Sequence, residues 1–375
     1  MRAKHRVAVS GHEGFIGSHL KHRLRQEIDL KFVPLEHDSW TNCDELTNVI
    51  AGVDTVVHLA AKNRAPKQEL HQNNVGLVRS LVGSLNALES GSPPHVIFAS
   101  STQRTSNTAY GRSKREGERL LEEWSEKTGA PLTVLVIPNV FGPGCRPSYN
   151  SVVATFAFQF ACGQQPEIKD DCELELIYVS DLIDHFVAAI KSPPIGRLLS
   201  VVGPVHRRTV SGIYHDLLRF TQLRKDRGTL PEFRSDFEAR LYATYQSYLD
   251  PGGLRDKPIL HSDARGVLAE CVRHESTGHI HFSTTTPGSI RGNHYHTRKL
   301  EKFCVLRGEA MIRLRRVGTE EIIEYRVSGK LPEVIDIPVF HVHHLENVGQ
   351  EELYTVFWSN ETFDSDNPDT YMEAV

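Results

Sequence analysis

Hydrophobic residues follow two different periods along the chain. Before residue 250, short apolar runs such as residues 7–9 and 55–59 alternate with longer segments in which apolar residues recur every three or four positions. From residue 279 onward, apolar and polar residues alternate in short runs separated by turns. Buried parallel strands connected by helices produce the first pattern, and antiparallel strands produce the second. We therefore predict an α/β domain with a parallel sheet, followed by a small all-β barrel.

The change of period follows a break at residues 251–253, Pro-Gly-Gly. Residues 206–250 still carry helical spacing, which places them in the first domain as part of a substrate-binding lobe. The predicted domains are therefore residues 1–250 and residues 251–375.

Composition narrows the class of protein without indicating a reaction. The 375 residues are 39% hydrophobic and 24% charged, and the net charge of −4 gives no general attraction to nucleic acid or to a membrane surface. The start of the chain lacks the apolar stretch of a secretory leader, and the most apolar segment, residues 152–162, is far shorter than the ~20 residues that span a bilayer. Six scattered cysteines form no Cys-x-x-Cys pair. We expect a cytoplasmic protein with no nucleic-acid partner and no membrane insertion.

A glycine-rich turn joins the first predicted strand to the first predicted helix. Gly11 permits a tight turn, Gly14 allows a pyrophosphate to approach the backbone, and Gly17 allows the helix to pack closely on the strand. The N-terminus of the helix would face the anion. In this strand-turn-helix context the spacing predicts a dinucleotide site.

Tyr110 and Lys114 stand four residues apart at the start of a long predicted helix, which runs from Ala109 to about Lys127 and ends at Gly129. Residues at this spacing share a helix face. We expect the Lys114 ammonium to lower the pKa of the Tyr110 phenol, so that Tyr110 exchanges a proton with a sugar oxygen while a serine hydroxyl positions the carbonyl.

These segments resemble the extended short-chain dehydrogenase/reductase family, in its nucleotide-sugar branch, which has a Rossmann-type parallel sheet. The resemblance rests on the glycine turn, residues 54–61, Asn73, the serine and Tyr-x-x-x-Lys pair, residues 138–144 and residues 178–181. It implies Ser101, Tyr110 and Lys114 as catalytic residues, and Asn139, Asn150 and Ser151 on the substrate side. The cofactor contacts that it implies are Gly11, Gly14, Phe15, Ile16, Gly17, His37, Leu59, Ala60, Arg64, Asn73, Tyr110 and Lys114. Arg64 is within reach of an adenosine phosphate, so NAD(H) and NADP(H) both stay open.

A cluster of metal-ligand residue types lies in the C-terminal third. Eight of the 20 histidines fall between His274 and His344. On antiparallel strands, His294 and His296 point the same way, and Glu301 and His343 can come from neighbouring strands. Three imidazoles and one carboxylate suit a divalent metal, with zinc the expected ion.

This segment resembles the cupin superfamily, on the spacing Gly-x5-His-x-His-x4-Glu-x6-Gly from Gly288 and on residues 338–347. Asp263, Arg265 and residues 291–295 are also similar to cupin epimerases of 4-keto-6-deoxy nucleotide sugars, which implies Asp263 and Arg265 as substrate contacts. In those enzymes the histidine that matches His294 is a base and no metal is used. Whether His294 is a ligand or a base therefore stays open. The base otherwise lies among His341, His344, Tyr295 and Lys302.

The order of the two domains is similar to a family of bifunctional reductase/epimerases of capsular polysaccharide synthesis. The resemblance implies that the cupin epimerises carbon 3 of a UDP-4-keto-6-deoxy-N-acetylhexosamine and that the first domain reduces carbon 4, giving UDP-2-acetamido-2,6-dideoxy-L-talose on the route to N-acetyl-L-fucosamine. A homodimer through the cupin is expected. Two alternatives remain. One is a 4-epimerase or dehydratase that recycles its NAD and has a structural cupin, and the other is a nucleotide-sugar sensor without turnover.

Overall fold

The computed structural model describes residues 4–36, 40, 43–64, 66–88, 93–203, 205–226, 228–252, 254, 258–276, 278–361 and 366–375. The chain forms two compact units. The first contains Met1–Leu217 and Ser235–Leu249, and the second contains Leu218–Arg234 and Asp250–Val375. The division into domains at residue 250 stays a prediction.

The first unit alternates strands and helices. In chain order its elements are β1 (His5–Ser10), α1 (Phe15–Gln26), β2 (Leu30–Leu35), α2 (Cys43–Ile50), β3 (Thr55–His58), α3 (Lys67–Asn86), β4 (His95–Ser101), a 3-10 turn (Thr102–Thr105), α4 (Ala109–Thr128), β5 (Leu132–Ile137), β6 (Asn139–Phe141), α5 (Val152–Ala161), β7 (Glu173–Tyr178), α6 (Val179–Lys191), β8 (Arg197–Val201), β9 (His206–Thr209), α7 (Val210–Lys225, which continues into the second unit) and α8 (Asp236–Gln246).

Six of these strands form a parallel sheet in the order β2-β1-β3-β4-β5-β8. Its central strands are apolar on both faces because helices cover both faces. Val9 and Val57 pack in a core with α1 and α6, whereas the adjacent Ala8 and Val56 pack in a second core with α2, α3 and α4. The predicted α/β domain with a parallel sheet is confirmed.

The second unit is built from antiparallel strands. Its strands are β10 (Leu260–Asp263), β11 (Gly266–Val272), β12 (His279–Thr285), β13 (Ile290–Tyr295), β14 (Glu301–Arg307), β15 (Glu309–Arg316), β16 (Ile322–Ser328), β17 (Val334–Ile337), β18 (His341–Asn347), β19 (Leu353–Ser359) and β20 (Tyr371–Met372). They form two sheets, in the orders β10-β11-β12-β19-β14-β17 and β16-β15-β18-β13-β20. Val305 and Leu353 of one sheet share a core with Ile312 and Leu345 of the other. The predicted all-β domain is confirmed.

The long predicted helix is also confirmed, since α4 ends at Gly129 in the left-handed conformation (φ 71°), which favours glycine. In the described part of the chain, no helix has the length and apolarity needed to cross a membrane.

The glycine turn after β1 brings the start of α1 against its own backbone. Gly11 has a φ of 66°, and an added Cβ would lie 3.0 Å from the Ala60 backbone. At Gly17, an added Cβ would lie 2.0 Å from the Gly11 carbonyl oxygen. At Gly14 it would meet only that same carbonyl, at 3.2 Å. The protein backbone therefore leaves no room for a side chain at Gly11 and Gly17, whereas Gly14 has more space around it.

We expect Gly17→Ala to lower the free energy of unfolding by about 1–3 kcal/mol, because the methyl group overlaps backbone atoms that cannot move independently. Gly83→Ala is the matched control, since Gly83 lies inside α3 and an added Cβ has nothing within 4 Å. That control should gain about 0.5–1 kcal/mol from helix propensity. Urea unfolding curves of both variants give the comparison. Equal stability of the two would contradict the close packing at Gly17.

Candidate active sites

The predicted catalytic trio of the first unit lies together at the end of β4 and the start of α4. The Tyr110 phenol is hydrogen-bonded to the Ser101 side chain. The Lys114 ammonium lies 5.5 Å from the centre of the Tyr110 ring and donates to the Ala99 carbonyl at 2.7 Å. The order β4, turn, α4 places these groups, because Ser101 ends the strand and Tyr110 is the second residue of the helix.

The expected lowering of the Tyr110 pKa is wrong for this structure. Burial raises the pKa of Tyr110 to about 12, and the Ser101 hydrogen bond offsets only part of that effect. Burial also lowers the pKa of Lys114 to about 8, against the opposing charge of Glu118. Desolvation disfavours the charged form of each group and outweighs their mutual influence. Tyr110 therefore holds its proton at neutral pH.

Glu118 is a buried carboxylate that the sequence argument missed. It lies one helical turn beyond Lys114, is 2% exposed, and accepts hydrogen bonds from the Ser100 hydroxyl and the Arg104 guanidinium. The Arg104 Nε atom lies 2.8 Å from both carboxylate oxygens. Arg104 belongs to the 3-10 turn that Ser101 caps. The ion pair thus holds this turn, and with it Ser101, against α4.

Two predicted cofactor contacts, Leu59 and Ala60, lie against the glycine turn. Leu59 and Ala60 follow β3, and their backbone N–H groups donate to the Ser10 hydroxyl at 3.0 and 3.1 Å. The Ser10 hydroxyl in turn lies 3.0 Å from Nδ1 of His58, and because it accepts from two N–H groups its own proton points to that nitrogen. Burial lowers the pKa of His58 to about 3, so the ring is neutral. Phe15 and Ile16 pack on the α1 side of the sheet. His37 lies outside the described residues.

Arg64 lies against the segment that precedes α5. Its guanidinium lies 5.6 Å from the centre of the Tyr149 ring and 3.4 Å from the Ser148 carbonyl oxygen. Tyr149 is near enough to Tyr110 to raise the pKa of that phenol. Contact between Arg64 and an adenosine phosphate stays a prediction.

The remaining predicted residues of this unit differ from their neighbours in how deeply they are buried. Asn73 is half-buried and donates to the Glu69 carbonyl of its own helix at 2.9 Å. The adjacent Asn74 is buried instead, accepts from the Lys62 backbone N–H at 2.8 Å and donates to the Ser113 hydroxyl at 3.3 Å. Sequence could not separate these two asparagines, because only the helix phase decides which is buried.

Asn139 and Asn150 are exposed, whereas Ser151 is the N-cap of α5 and accepts from the Ala154 N–H at 3.2 Å. The Ser151 side chain therefore has a local structural partner. Substrate contact at these three positions stays a prediction.

The four predicted metal ligands converge inside the second unit. One donor atom each of His294, His296, Glu301 and His343 lies within 4.8 Å of the others. Glu301 comes from one sheet, and His294 and His343 are cross-strand neighbours in the other. A left-handed Asn293 (φ 59°) forms a bulge before His294 and turns it to the side of His343.

Three atoms of this cluster are buried without a hydrogen-bond partner: Nε2 of His296, Nε2 of His343 and Oε2 of Glu301. The two imidazole nitrogens lie 3.4 and 3.3 Å from the carboxylate oxygen. Burial alone would raise the pKa of the Glu301 carboxyl, but the two imidazoles hold it well below its usual value. Burial and the neighbouring imidazoles together lower the pKa of His294 to about 4. The three imidazoles and the carboxylate form a donor set that fits a divalent cation.

A second carboxylate, which the sequence argument missed, fixes this cluster from the C-terminal end. Asp369 is 3% exposed and accepts from the backbone N–H groups of Thr297, Arg298 and Lys299 at 2.8–3.2 Å. Its carbonyl oxygen lies 2.6 Å from Nδ1 of His296. The tautomer with Nδ1–H, which leaves Nε2 free as a donor to an ion, is thereby favoured.

The structure places three of the four candidate bases away from this cluster. Lys302 is exposed and paired with Asp336. His344 faces the opposite side of β18 from His343, between Asn293 (3.0 Å) and Arg313 (3.2 Å). Tyr295 stacks on Tyr371 with ring centres 5.2 Å apart.

His341 shares the His343 side, and its Nδ1 lies 3.0 Å from the Val339 carbonyl. Of the two predicted substrate contacts in this unit, Asp263 is paired with Arg265 across the β10–β11 turn at 3.0 Å and lies 4.0 Å from Arg291. The Arg265 side chain holds the pKa of the Asp263 carboxyl below its usual value.

Two families match the chain. Residues 7–202 match the NAD dependent epimerase/dehydratase family. Residues 261–371 match the polysaccharide biosynthesis C-terminal domain.

Relatives match over the whole length. The UDP-2-acetamido-2,6-beta-L-arabino-hexul-4-ose reductase of Pseudomonas aeruginosa is 32% identical over 372 residues, which are 99% of each chain. A crystal structure of the capsular polysaccharide assembling protein CapF from Staphylococcus aureus is 36% identical with a TM-score of 0.87, and the match covers 98% of this chain and 100% of that one. RMD from Pseudomonas aeruginosa, solved with NADPH, matches 65% of this chain and 99% of its own with a TM-score of 0.56 at 21% identity, which shows the fold alone.

We expect Glu118→Ala to lower the free energy of unfolding by about 3 kcal/mol, because it leaves a half-buried guanidinium without its carboxylate. Glu123→Ala is the control on the same helix, since Glu123 is 46% exposed and paired only at the surface with Arg119. The Glu123→Ala variant should lower the free energy of unfolding by less than about 1 kcal/mol. Urea unfolding measures both variants. A cost at Glu118 no larger than at Glu123 would show that the ion pair does not hold the turn.

Proposed function

The chain belongs to the NAD-dependent epimerase/dehydratase family, and from that membership we propose that it carries out two consecutive steps on one UDP-sugar. It is a nucleotide-sugar enzyme that uses a nicotinamide cofactor. In the proposal, the second unit inverts carbon 3 of a UDP-4-keto-6-deoxy-N-acetylhexosamine, and the first unit reduces the carbon 4 ketone. The product would be UDP-2-acetamido-2,6-dideoxy-L-talose. One observation carries the proposal, namely two complete and chemically different sets of reactive groups in one chain.

The trio of the first unit fits the reducing direction. A ketone that accepts a hydride must also receive a proton on its oxygen, and a phenol that holds its proton at neutral pH can supply it. Tyr110, with a pKa of about 12, is such a donor. Ser101 would hold the carbonyl oxygen, and the Lys114 ammonium would stabilise the phenolate that forms. A bound NAD(H) or NADP(H) at the glycine turn supplies the hydride.

The cluster of the second unit fits a divalent metal, for which we favour zinc. His294, His296, Glu301 and His343 would hold the ion, and three of their buried donor atoms have no other partner among the described residues. When bound, such an ion polarises a ketone oxygen and makes the neighbouring carbon acid stronger. The residues of the unit must then supply the proton transfer at carbon 3. The name of the Pseudomonas relative, a hexul-4-ose reductase, supports a 4-keto substrate.

Further features support a cytoplasmic homodimer. All six cysteines are free, which suits a reducing compartment. Edge strand β16 presents Ile322, Ile323 and Tyr325 to solvent, which suits pairing of the second unit with a second copy.

An experiment in heavy water can measure the two steps independently. The protein is incubated with a UDP-4-keto-6-deoxy-N-acetylhexosamine in D2O, with and without NADPH, and NMR follows deuterium at carbon 3 and reduction at carbon 4. We expect Tyr110→Phe to lose at least about 100-fold in reduction and to keep the exchange. The wild type should consume one NADPH for each product molecule. Turnover without net consumption of NADPH would instead indicate a 4-epimerase or dehydratase.

Metal removal gives an independent prediction. We expect about one divalent ion per chain by elemental analysis, and we expect its removal by a chelator to lower the melting temperature of the second unit. His343→Ala should lose the ion and the carbon 3 exchange. His344→Gln, on the opposite face of the same strand, should keep both. Full metal content in His343→Ala would contradict the proposed ligand set.

A further inference from the structure

The inner face of the larger sheet carries a row of aromatic and imidazole rings that starts beside the metal cluster. Phe303 of β14 lies 5.9 Å from the His343 ring. Its cross-strand partner Phe357 of β19 lies 5.6 Å from it, ring centre to ring centre. The partner of Phe357 on β12 is His281. Since cross-strand partners share a face of the sheet, His281 lies on the same face as the metal ligand Glu301.

The distance between His281 and the cluster suits a bound sugar ring. Adjacent strands lie about 4.8 Å apart, so two strand spacings put His281 roughly 10 Å from β14 along the sheet. Side chains on one face of a sheet project the same way, so a pyranose whose ketone oxygen contacts the cluster can present the adjacent ring carbon on the His281 side. His281 is close enough for the Glu301 charge to influence its pKa.

The surroundings of His281 orient its ring and leave its nitrogens available. The ring stacks on Phe357 with centres 4.9 Å apart and planes at 9°. The described residues give its ring nitrogens no hydrogen bond. The facing groups are Glu270 on the partner strand, the neighbouring His279, and Lys299 and Glu301 on the cluster side. Burial lowers the pKa of His281, which leaves the imidazole neutral and able to accept a proton.

Glu270 and His279 differ from His281 because they are already engaged. Glu270 accepts from Arg273 at 2.8 and 3.0 Å and lies 3.2 Å from Nδ1 of His279. His279 is 3% exposed. His281 is therefore the histidine of this face that combines a fixed ring with nitrogens free for a substrate.

We propose that His281 is the general base that removes the carbon 3 proton. The assignment rests on the proposed function, because it presumes that the second unit inverts carbon 3. The imidazole nitrogen accepts the proton as the C–H bond breaks. The electron pair of that bond forms a carbon 3–carbon 4 double bond, and the π electron pair of the carbonyl moves onto the carbon 4 oxygen. A proton from water then returns to the opposite face of carbon 3, the ketone re-forms, and the imidazolium releases its proton to solvent. Protons and charge balance over the cycle.

The test uses His281→Gln in the full-length, metal-loaded protein. At saturating substrate without NADPH, deuterium uptake at carbon 3 should fall at least about 100-fold. Substrate affinity by calorimetry, metal content and the melting temperature should stay at wild-type values. Reduction of substrate that is already inverted at carbon 3 should also persist, which shows that the chain is folded. Lys302→Gln, a surface variant on strand β14 of the same sheet, should exchange like the wild type.

The outcomes separate this inference from the function on which it rests. Absence of exchange in the wild type would overturn the proposed epimerisation itself. Wild-type exchange that persists in His281→Gln would overturn only the base assignment. Loss of substrate affinity with an unchanged saturated exchange rate would make His281 a binding residue and would likewise overturn it. Restoration of exchange in His281→Gly by added imidazole would support the assignment, since it returns the base without the side chain.

Discussion

The second unit depends on one electrostatic constraint, which is the burial of the Glu301 carboxylate against two imidazole nitrogens. No described protein group satisfies the facing atoms of Glu301, His296 and His343. A buried charge without a partner costs several kcal/mol, and imidazole nitrogens at 3.4 and 3.3 Å offset only part of that cost. The surrounding fold is arranged to hold this geometry: two sheets bring the ligands together, a bulge turns His294, and Asp369 fixes His296. A cation is the partner that would complete the charge balance.

The sequence predicted the ligands of this cluster, but their support came from a distant part of the chain. His294, His296 and Glu301 could be predicted because strand alternation relates residues close in sequence. Asp369 lies 73 residues from His296, and the residues around it have no periodicity that indicates a role. Three of the four base candidates lie away from the cluster for a similar reason. Closeness in sequence to a ligand, as for Lys302 and His344, does not place a side chain on the ligand face, whereas strand register places His281 there.

In the first unit, the sequence predicted which groups lie together but not how their burial changes their pKa values. The turn, the helix and the pairing of Tyr110 with Lys114 follow from spacing, and the family resemblance implied Ser101 as their partner. The direction of the Tyr110 pKa does not, because it depends on how deeply the phenol is buried, and burial outweighs the nearby ammonium. Glu118 was equally out of reach, since a glutamate in a helix is usually exposed and only the packed turn with Arg104 reveals this one as buried.

The chemistry of the two proposed steps explains why one chain would hold both sites. Inversion at carbon 3 needs a neutral base and a ketone at carbon 4, and it is reversible because the same ketone acidifies both epimers. Reduction needs a proton donor such as Tyr110, and it removes the ketone on which the inversion depends. The second step therefore fixes the result of the first. Fusion keeps the two sites in equal number, so that an inverted intermediate always has a reducing site available.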